Sequence, residues 1–390
     1  MLVYPPGATG AQLDDEGRVQ TVVRRGVQFL KGRQNADGSW PYAGHELGIT
    51  SLAALALIEN GVPVQDPAIQ NAIRVVRGLS PSNTSTYDIS LAILFLVRIG
   101  DKEDNELVLD LGARLAGGQL STGGWSYVCP LVPRPPKPAS VSNAPRAAAK
   151  AGNVKRPGRL ATGAQRGMAG GDNSNTQFAV LGIWAAGRAG LDISDTMTLV
   201  DQRFRTTQAP TGGWGYTGVG DSDAMTCAGL MSLALAKGQK VLGGQMANRK
   251  PESDGESKPK MDSDAHIERG LRRVEFYANT IGSGSTLYFL WSVERVGIAL
   301  GLKRLGSVDW YRRGAATLVE TQQLDGGWRT NRGEIADTAF ALLFLHRTNL
   351  AEGMPQLVTG RSGAGENTMR PGSLDDLIRS VRPEAKSDPE

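Results

Sequence analysis

Two kinds of apolar pattern alternate along this chain. In the first, at 18–33, 67–79, 105–118, 194–207, 265–280 and 309–322, apolar residues recur at helical spacing with charges between them. That is the pattern of an amphipathic helix with one half-exposed face. In the second, at 50–59, 88–99, 176–187, 226–236, 286–300 and 337–346, nearly every position is apolar and Ser or Thr often stands first, a helix-start signal. A helix apolar on most sides must be surrounded by other helices. Six such inner helices running parallel, wrapped by six antiparallel outer ones, describe a closed ring. The pattern predicts an all-α protein, an α6/α6 toroid of six helical hairpins around a central cavity.

The same turn recurs between outer and inner segments. Gln34 to Trp40, Gln119 to Trp125, Gln208 to Trp214 and Gln322 to Trp328 all read Gln-x-x-x-Gly-x-Trp. Trp40 to Trp125 fits two units of about 42 residues. Trp125 to Trp214 is one such unit plus an insertion, and Trp214 to Trp328 is two units plus another. One repeat cannot bury its own apolar face and must stack on its neighbours. In this motif Gly lets the backbone turn sharply, Trp supplies a large apolar anchor with one N–H to satisfy, and Gln bonds backbone groups at the turn or on a neighbouring repeat. The toroid is expected over 18–350. It is interrupted by a basic Pro- and Ala-rich insertion at 129–171 and a polar one at 238–264, both expected to be disordered. A largely disordered tail at 351–390 follows, with a short helix at 374–381.

Composition narrows the function classes. The chain has 390 residues and a net charge of +4, and its excess of basic residues falls in the stretch 130–166, which lacks acidic residues. Such a segment reads as a solvated loop, with weak contact to phosphates or an anionic membrane surface as the alternative. It has no interleaved aromatics, so no nucleic-acid partner is expected. No apolar run reaches the length of a membrane span and no leader is evident at 1–17, so the expected location is cytoplasmic. Two cysteines, Cys129 and Cys227, and three histidines fit a reducing compartment and make a metal cage improbable. There is no Walker loop, dinucleotide fingerprint, Gly-x-Ser-x-Gly elbow or His-Glu-x-x-His, and no cofactor is expected.

The fuller pattern Arg25-Gly26-x-x-Phe29-Leu30-x-x-x-Gln34-x-x-x-Gly38-x-Trp40, repeated at Arg313 to Trp328 with Thr317 in the aromatic position, resembles the QW motif of squalene-hopene and oxidosqualene cyclases. Protein prenyltransferase β subunits share the six-hairpin ring. The resemblance implies an isoprenoid-sized apolar cavity and a hydrophobic or isoprenoid ligand. Bacterial cyclases of this family carry an Asp-x-Asp-Asp-Thr-Ala motif whose central Asp protonates the polyene, a job for a carboxylic acid in a dry site. Here the stretch is Glu334-Ile335-Ala336-Asp337-Thr338-Ala339, with Ala336 in the central place. Full cyclases also have two helical barrels where this chain has residues for one. The zinc set of the prenyltransferases is not matched: Asp337-Thr338 is followed by Ala339 and Phe340, and Cys227 falls inside an inner helix.

Other candidates come from the residues themselves. Parallel inner helices would gather His45, Glu46, Asp88, Asp172, Asp221, Asp223, Glu334 and Asp337 at one mouth, for general acid chemistry, for a cationic ligand, or simply as helix caps. The segment Tyr288 to Arg295 places adjacent charges, Glu294 and Arg295, inside an apolar helix. Arg295 would suit a diphosphate or carboxylate, with Tyr288 and Trp291 lining an apolar or cationic guest; the alternative is a structural ion pair. Trp214 completes the expected ligand contacts. If the ring is an enzyme, Asp337 with Glu334, or Asp221 with Asp223, would act as acid in an isomerase or transferase, and Tyr288 and Trp291 would stabilise carbocations. The other class is a non-catalytic toroid that serves as a scaffold for a protein partner.

Overall fold

In the computed structural model, residues 10–131, 170–218, 220–247, 264–282, 286–330 and 332–347 are described, with the backbone alone at 10–16 and 241–247. Among these residues helix alternates with turn, and the nearest approach to a strand is an isolated bridge such as Trp125 with Asp172. The outer helices are α1 (Gly10–Gly32), α3 (Pro67–Leu79), α5 (Asn105–Gly118), α7 (Ser194–Thr206), α9 (Ala265–Ala278) and α11 (Trp310–Thr321). The inner ones are α2 (Glu46–Glu59), α4 (Thr86–Ile99), α6 (Asn173–Arg188), α8 (Asp223–Ala247), α10 (Leu287–Ala299) and α12 (Glu334–His346). Around the centre α2 packs on α4, α4 on α6, α6 on α8, α8 on α10 and α10 on α12, and α12 returns to α2. The ring is closed, and the fold is the all-α toroid.

The two helix classes differ in burial for the reason their patterns gave. In α3 one stripe is buried, Ala68, Ile69, Ala72, Ile73 and Val76, while in α2 everything from Leu47 to Glu59 is buried. Each fully buried Leu or Ile contributes about 1.5–3 kcal/mol, so the inner ring is the core.

The repeated turn is a device of four hydrogen bonds. At the first copy, Gln34 Nε2 donates to Gly38 O at 3.0 Å and to Ala68 O in the first turn of α3 at 2.8 Å. Trp40 Nε1 donates to Leu30 O at 2.8 Å, and the Trp40 amide donates to Thr50 Oγ1 at 3.1 Å. The other three copies repeat these bonds, with Gln119, Gln208 and Gln322 reaching Thr196 O, His266 O and Val22 O of α7, α9 and α1. Each Gln ties its own turn to the next outer helix, and Gln322 ties the last repeat to the first. Gly326 shows why the motif needs its glycine: its φ is 92°, and a Cβ there would lie 2.6 Å from Arg25 O. The second hairpin lacks the motif, and Arg114 of α5 takes over, donating to Ser80 O and Asn83 O at 3.0 and 2.6 Å.

Two expectations shift. The inner helices begin about a turn earlier than Thr50, Thr176 and Thr226, because those threonines accept from the Trp amides of the turns and do not cap. Caps come instead from residues such as Asp172, which accepts from Asn175 N at 2.7 Å. The polar insertion expected from 238 begins inside α8, which continues to Ala247. Residues 132–169, 248–263 and 348–390, where most of both insertions and the tail were expected, lie outside the described residues.

Candidate functional site

The outer-to-inner turns meet at one mouth of the ring, and each rim acid there has its own partner. Asp88, buried at the start of α4, accepts from His45 Nδ1 at 2.8 Å and from Ser85 Oγ at 3.1 Å. Asp337 is fully buried, and its two oxygens accept from Thr330 N at 2.5 Å and Thr330 Oγ1 at 2.8 Å. Glu334 pairs with Arg329 at 2.8 Å and Arg33 at 3.3 Å. Asp221 pairs with Arg273 of α9, Asp223 accepts from Ala224 N, and Glu46 accepts from Gly44 N. Asp337 and Glu334, and likewise Asp221 and Asp223, are near in sequence but are held by different groups. Within each expected pair the two carboxyls share a turn but are held by different partners.

The four Trp–Thr bonds put the hairpins in register with one another. Two residues before the bonded threonine stand Gly48, Ser174, Ala224 and Ala336. This is the place of the central acid in the cyclase motif, and a small side chain fills it in every hairpin that carries the repeat.

Below the mouth, aromatic rings from several inner helices meet on the axis. Phe178 of α6 stacks on Trp291 of α10 with centroids 5.2 Å apart, Trp291 lies 4.7 Å from Phe340 of α12, and Tyr288 lies 5.6 Å from Phe340. Tyr87 of α4 meets Phe178 edge-on at 5.2 Å. Since α6 and α12 face each other across the ring, this cluster closes the axis where a cavity was expected. A polar chain runs beside it. Tyr87 OH donates to Ser174 Oγ at 2.7 Å, Ser174 Oγ and Tyr288 OH lie 2.9 Å apart, Gln177 Nε2 donates to Tyr288 OH, and Arg295 Nη2 donates to Gln177 Oε1 at 2.8 Å. Burial pushes the Tyr288 phenol up to about 12, so it is a neutral donor and acceptor.

Tyr288, Trp291 and Arg295 thus come together as the sequence suggested. The structural ion pair does not form, because both Glu294 oxygens are buried without a hydrogen-bond partner. Burial holds the Glu294 carboxyl well above the usual carboxylate range, against the pull of Arg295. Trp214 is elsewhere. It is fully buried in the wall between α7, α8 and α9, donates Nε1–H to Phe204 O at 2.8 Å, and packs on Gly229 and Gly270. Its place is set by the turn it belongs to, so it is corrected from ligand contact to wall anchor.

Sequence reasoning missed Ser174, Gln177 and Phe178 on α6, Phe340 on α12, and Arg332, whose guanidinium lies 4.1 Å from the Tyr288 ring centroid. Ser174 and Gln177 gave no separate signal, because both stand in the polar run from Asp172 to Gln177 that opens α6. Shallow clefts of about 330 and 430 Å³ lie outside the ring, beside the turns of Gln208 and Gln322, and include Arg269 and Arg273 in one and Arg25 and Phe29 in the other. Among the described residues no group of three or more His, Cys, Asp or Glu side chains could hold a metal ion, and no helix is long and apolar enough to cross a membrane.

No protein-family model and no curated protein matches the chain. Solved structures do. Type II terpene cyclase MstE from Scytonema, in its apo form, is 14% identical over 85% of this chain and 98% of that one, with a TM-score of 0.52. An arginine-to-alanine variant of that enzyme in complex with geranylgeranyl dihydroxybenzoate, the substrate, is 13% identical over 86% and 98%, with a TM-score of 0.52. An aspartate-to-alanine variant in complex with merosterolic acid A, the product, is 13% identical over 86% and 98%, with a TM-score of 0.51. At this identity the likeness is one of fold: this chain has the α/α toroid of a terpene cyclase.

Proposed function

We propose that the ring binds a hydrophobic, isoprenoid-class small molecule along its axis and does not start a cyclisation by protonation from its rim. The observation that carries this reading is the buried cluster of Phe178, Tyr288, Trp291 and Phe340, contributed by three inner helices to the axis and not to the wall. Aromatic faces of this kind suit the apolar, polarisable chain of an isoprenoid. MstE, of the same fold, is solved in complex with geranylgeranyl dihydroxybenzoate, which supports the ligand class. Ala336 in the central acid place, with Asp337, Glu334, Asp221 and Asp223 each engaged by a partner of its own, supports the second half. Because the rings touch, a ligand enters by displacing them, and binding is coupled to that rearrangement.

Titrating farnesol or geranylgeraniol while following tryptophan emission tests the first half. A saturable change that disappears in Trp291→Phe is expected, and no saturable binding by emission or by calorimetry would overturn it. Mass spectrometry after incubation with squalene, farnesyl diphosphate and geranylgeranyl diphosphate tests the second. A cyclised product that Asp337→Ala abolishes would overturn it.

One observation favours a second reading, a scaffold for a protein partner. Every exposed large apolar side chain among the described residues, including Tyr42, Tyr127, Leu131, Tyr216, Phe276 and the fully exposed Leu324, lies on the mouth side of the ring. A one-sided apolar surface is what a docking face looks like. A photo-crosslinking residue at Leu324, compared with one at Asp101 on the opposite side, separates the readings: a defined adduct from Leu324 alone supports the scaffold.

A further inference from the structure

We infer that the ring interior receives the carboxylate of a lipid acid at Arg295, with the hydrocarbon chain lying against Trp291, Phe178 and Phe340. The inference rests on the apolar-ligand reading and adds to it the head group of the ligand and the depth at which it sits.

Arg295 is deep in the ring, with 3% of the residue exposed. Its Nη2 donates to Gln177 Oε1 at 2.8 Å and to Ser292 Oγ at 3.2 Å, and its Cζ lies 3.5 Å from the Trp291 ring centroid. Nη1 is buried and donates to nothing. Burial pulls the guanidinium down only to about 10, so it keeps its charge at neutral pH. The adjacent acid does not answer that charge, since Glu294 points about 100° further round the helix and burial favours its neutral form. A buried cation without an anion is costly, and cation–π attraction to one ring offsets only part of that cost.

The chemistry of the missing partner follows from charge and geometry. With Nε donating to Trp291 O at 3.4 Å, Nη1 is the one undonated nitrogen, and one guanidinium with that group to offer matches one carboxylate, which carries a single charge. A diphosphate brings more charge into the dry interior than Arg295 neutralises. Gln177 Nε2 and the Tyr288 hydroxyl, joined to Arg295 by the polar chain, are neutral groups able to turn towards a carboxylate as well. The isoprenoid acids and the fatty acids share this chemistry.

The test compares farnesoic acid, palmitate, farnesol and farnesyl diphosphate by calorimetry on the full chain, with Arg295→Met and Arg295→Lys beside the parent. The parent is expected to bind at least one of the two acids ten- to a hundredfold tighter than farnesol, the range of a charge-assisted hydrogen bond. Arg295→Met brings that acid to the level of farnesol, while Arg295→Lys keeps part of the preference. A preference for farnesoic acid or for palmitate identifies the source of the carboxylate, and either supports the inference. Farnesol binding as tightly as both acids, farnesyl diphosphate binding tighter than either, or Arg295→Met keeping the preference would overturn it while leaving the apolar-ligand reading in place. Failure of all four to bind removes that reading and the inference with it. Far-ultraviolet circular dichroism, with retained farnesol binding, shows that a variant is folded.

Discussion

The turns at the mouth and the axis of the ring are built from similar material, buried aromatics and hydrogen-bonding side chains, and they are finished differently. In each turn the Trp Nε1–H and both Gln amide donations reach carbonyls, as at Trp328 to Leu318 O and Gln322 to Gly326 O and Val22 O. On the axis Arg295 Nη1, Trp291 Nε1 and both Glu294 oxygens have no partner. Buried polar groups without partners oppose folding; among the described residues α10 gathers four such atoms on three neighbouring side chains, whereas the repeated Gln–Trp turns leave only the Gln119 and Gln322 Oε1 atoms. The turns also repeat four times, whereas the axis cluster draws unlike residues from α4, α6, α10 and α12. What recurs in this chain holds the ring; what occurs once is where the proposed ligand is placed.

The sharpest way to break this comparison is to truncate one large buried side chain in each region. Trp214→Ala removes a wall anchor and leaves a cavity that Gly229 and Gly270 cannot fill, at a cost of about 3–5 kcal/mol. Arg295→Met removes a buried charge for an apolar chain of similar length, which is neutral or stabilising where the charge had no counter-ion. Thermal unfolding of both variants decides. If Arg295→Met melts as far below the parent as Trp214→Ala, the axis is structural and the distinction between the regions fails.

Most of the ring was legible because its signals are local. The outer segments predicted at 67–79 and 105–118 are α3 and α5 to the residue, since an amphipathic stripe is written into the order of its own residues. Trp214 was misplaced for the opposite reason: composition marks it as aromatic, and only its neighbours, Phe204, Gly229 and Gly270, mark it as wall. Glu294 and Arg295 stood out as charges in an apolar helix, with a structural ion pair linking helices as the alternative to a ligand contact. The helix instead points them apart, Arg295 towards Gln177 and Glu294 to a buried place near enough to Glu59 and Arg347 to feel their charges. That the axis is closed was not readable at all, because Phe178, Trp291 and Phe340 lie far apart in sequence and meet only when the ring closes.

Glu294 gives a test through pH. Its carboxyl is protonated in the folded ring well past the ordinary value of 4.5, while the unfolded chain ionises there. As pH rises above 4.5 the unfolded state releases a proton that the folded state keeps, so stability falls until Glu294 ionises in the ring. Glu294→Gln cannot titrate, and its advantage over the parent should grow with pH by up to about 1.4 kcal/mol per unit. His346 acts in the other window. Burial and Arg98 hold it down at about 4, against an ordinary 6.5, so stability is lost as pH falls below 6.5 in parent and variant alike. Melting curves of the two proteins at pH 4.5, 6 and 8 that run parallel would mean the Glu294 carboxyl is not held neutral.

The smallest expected effect concerns closure of the ring. Gln119→Ala and Gln322→Ala each remove two neutral hydrogen bonds of similar length, to Gly123 O and Thr196 O or to Gly326 O and Val22 O, costing about 1–2 kcal/mol in total. Their global melting should therefore fall by similar amounts. Their local consequences should differ, because Gln119 joins neighbouring repeats within the chain whereas Gln322 joins the last repeat to the first. Among the described residues α1 is otherwise held against α11 and α12 by packing, by the Arg25 bonds to Gln323 O and Leu324 O at 2.9 Å, by the Arg33 pairs with Asp325 and Glu334, and by Arg329 over the Phe29 ring. Amide exchange in α1 should then quicken in Gln322→Ala and stay as in the parent in Gln119→Ala, whose effect belongs at the start of α7. Equal protection of α1 in both variants would mean that the apolar seam of α12, and not the repeated glutamine, closes the ring.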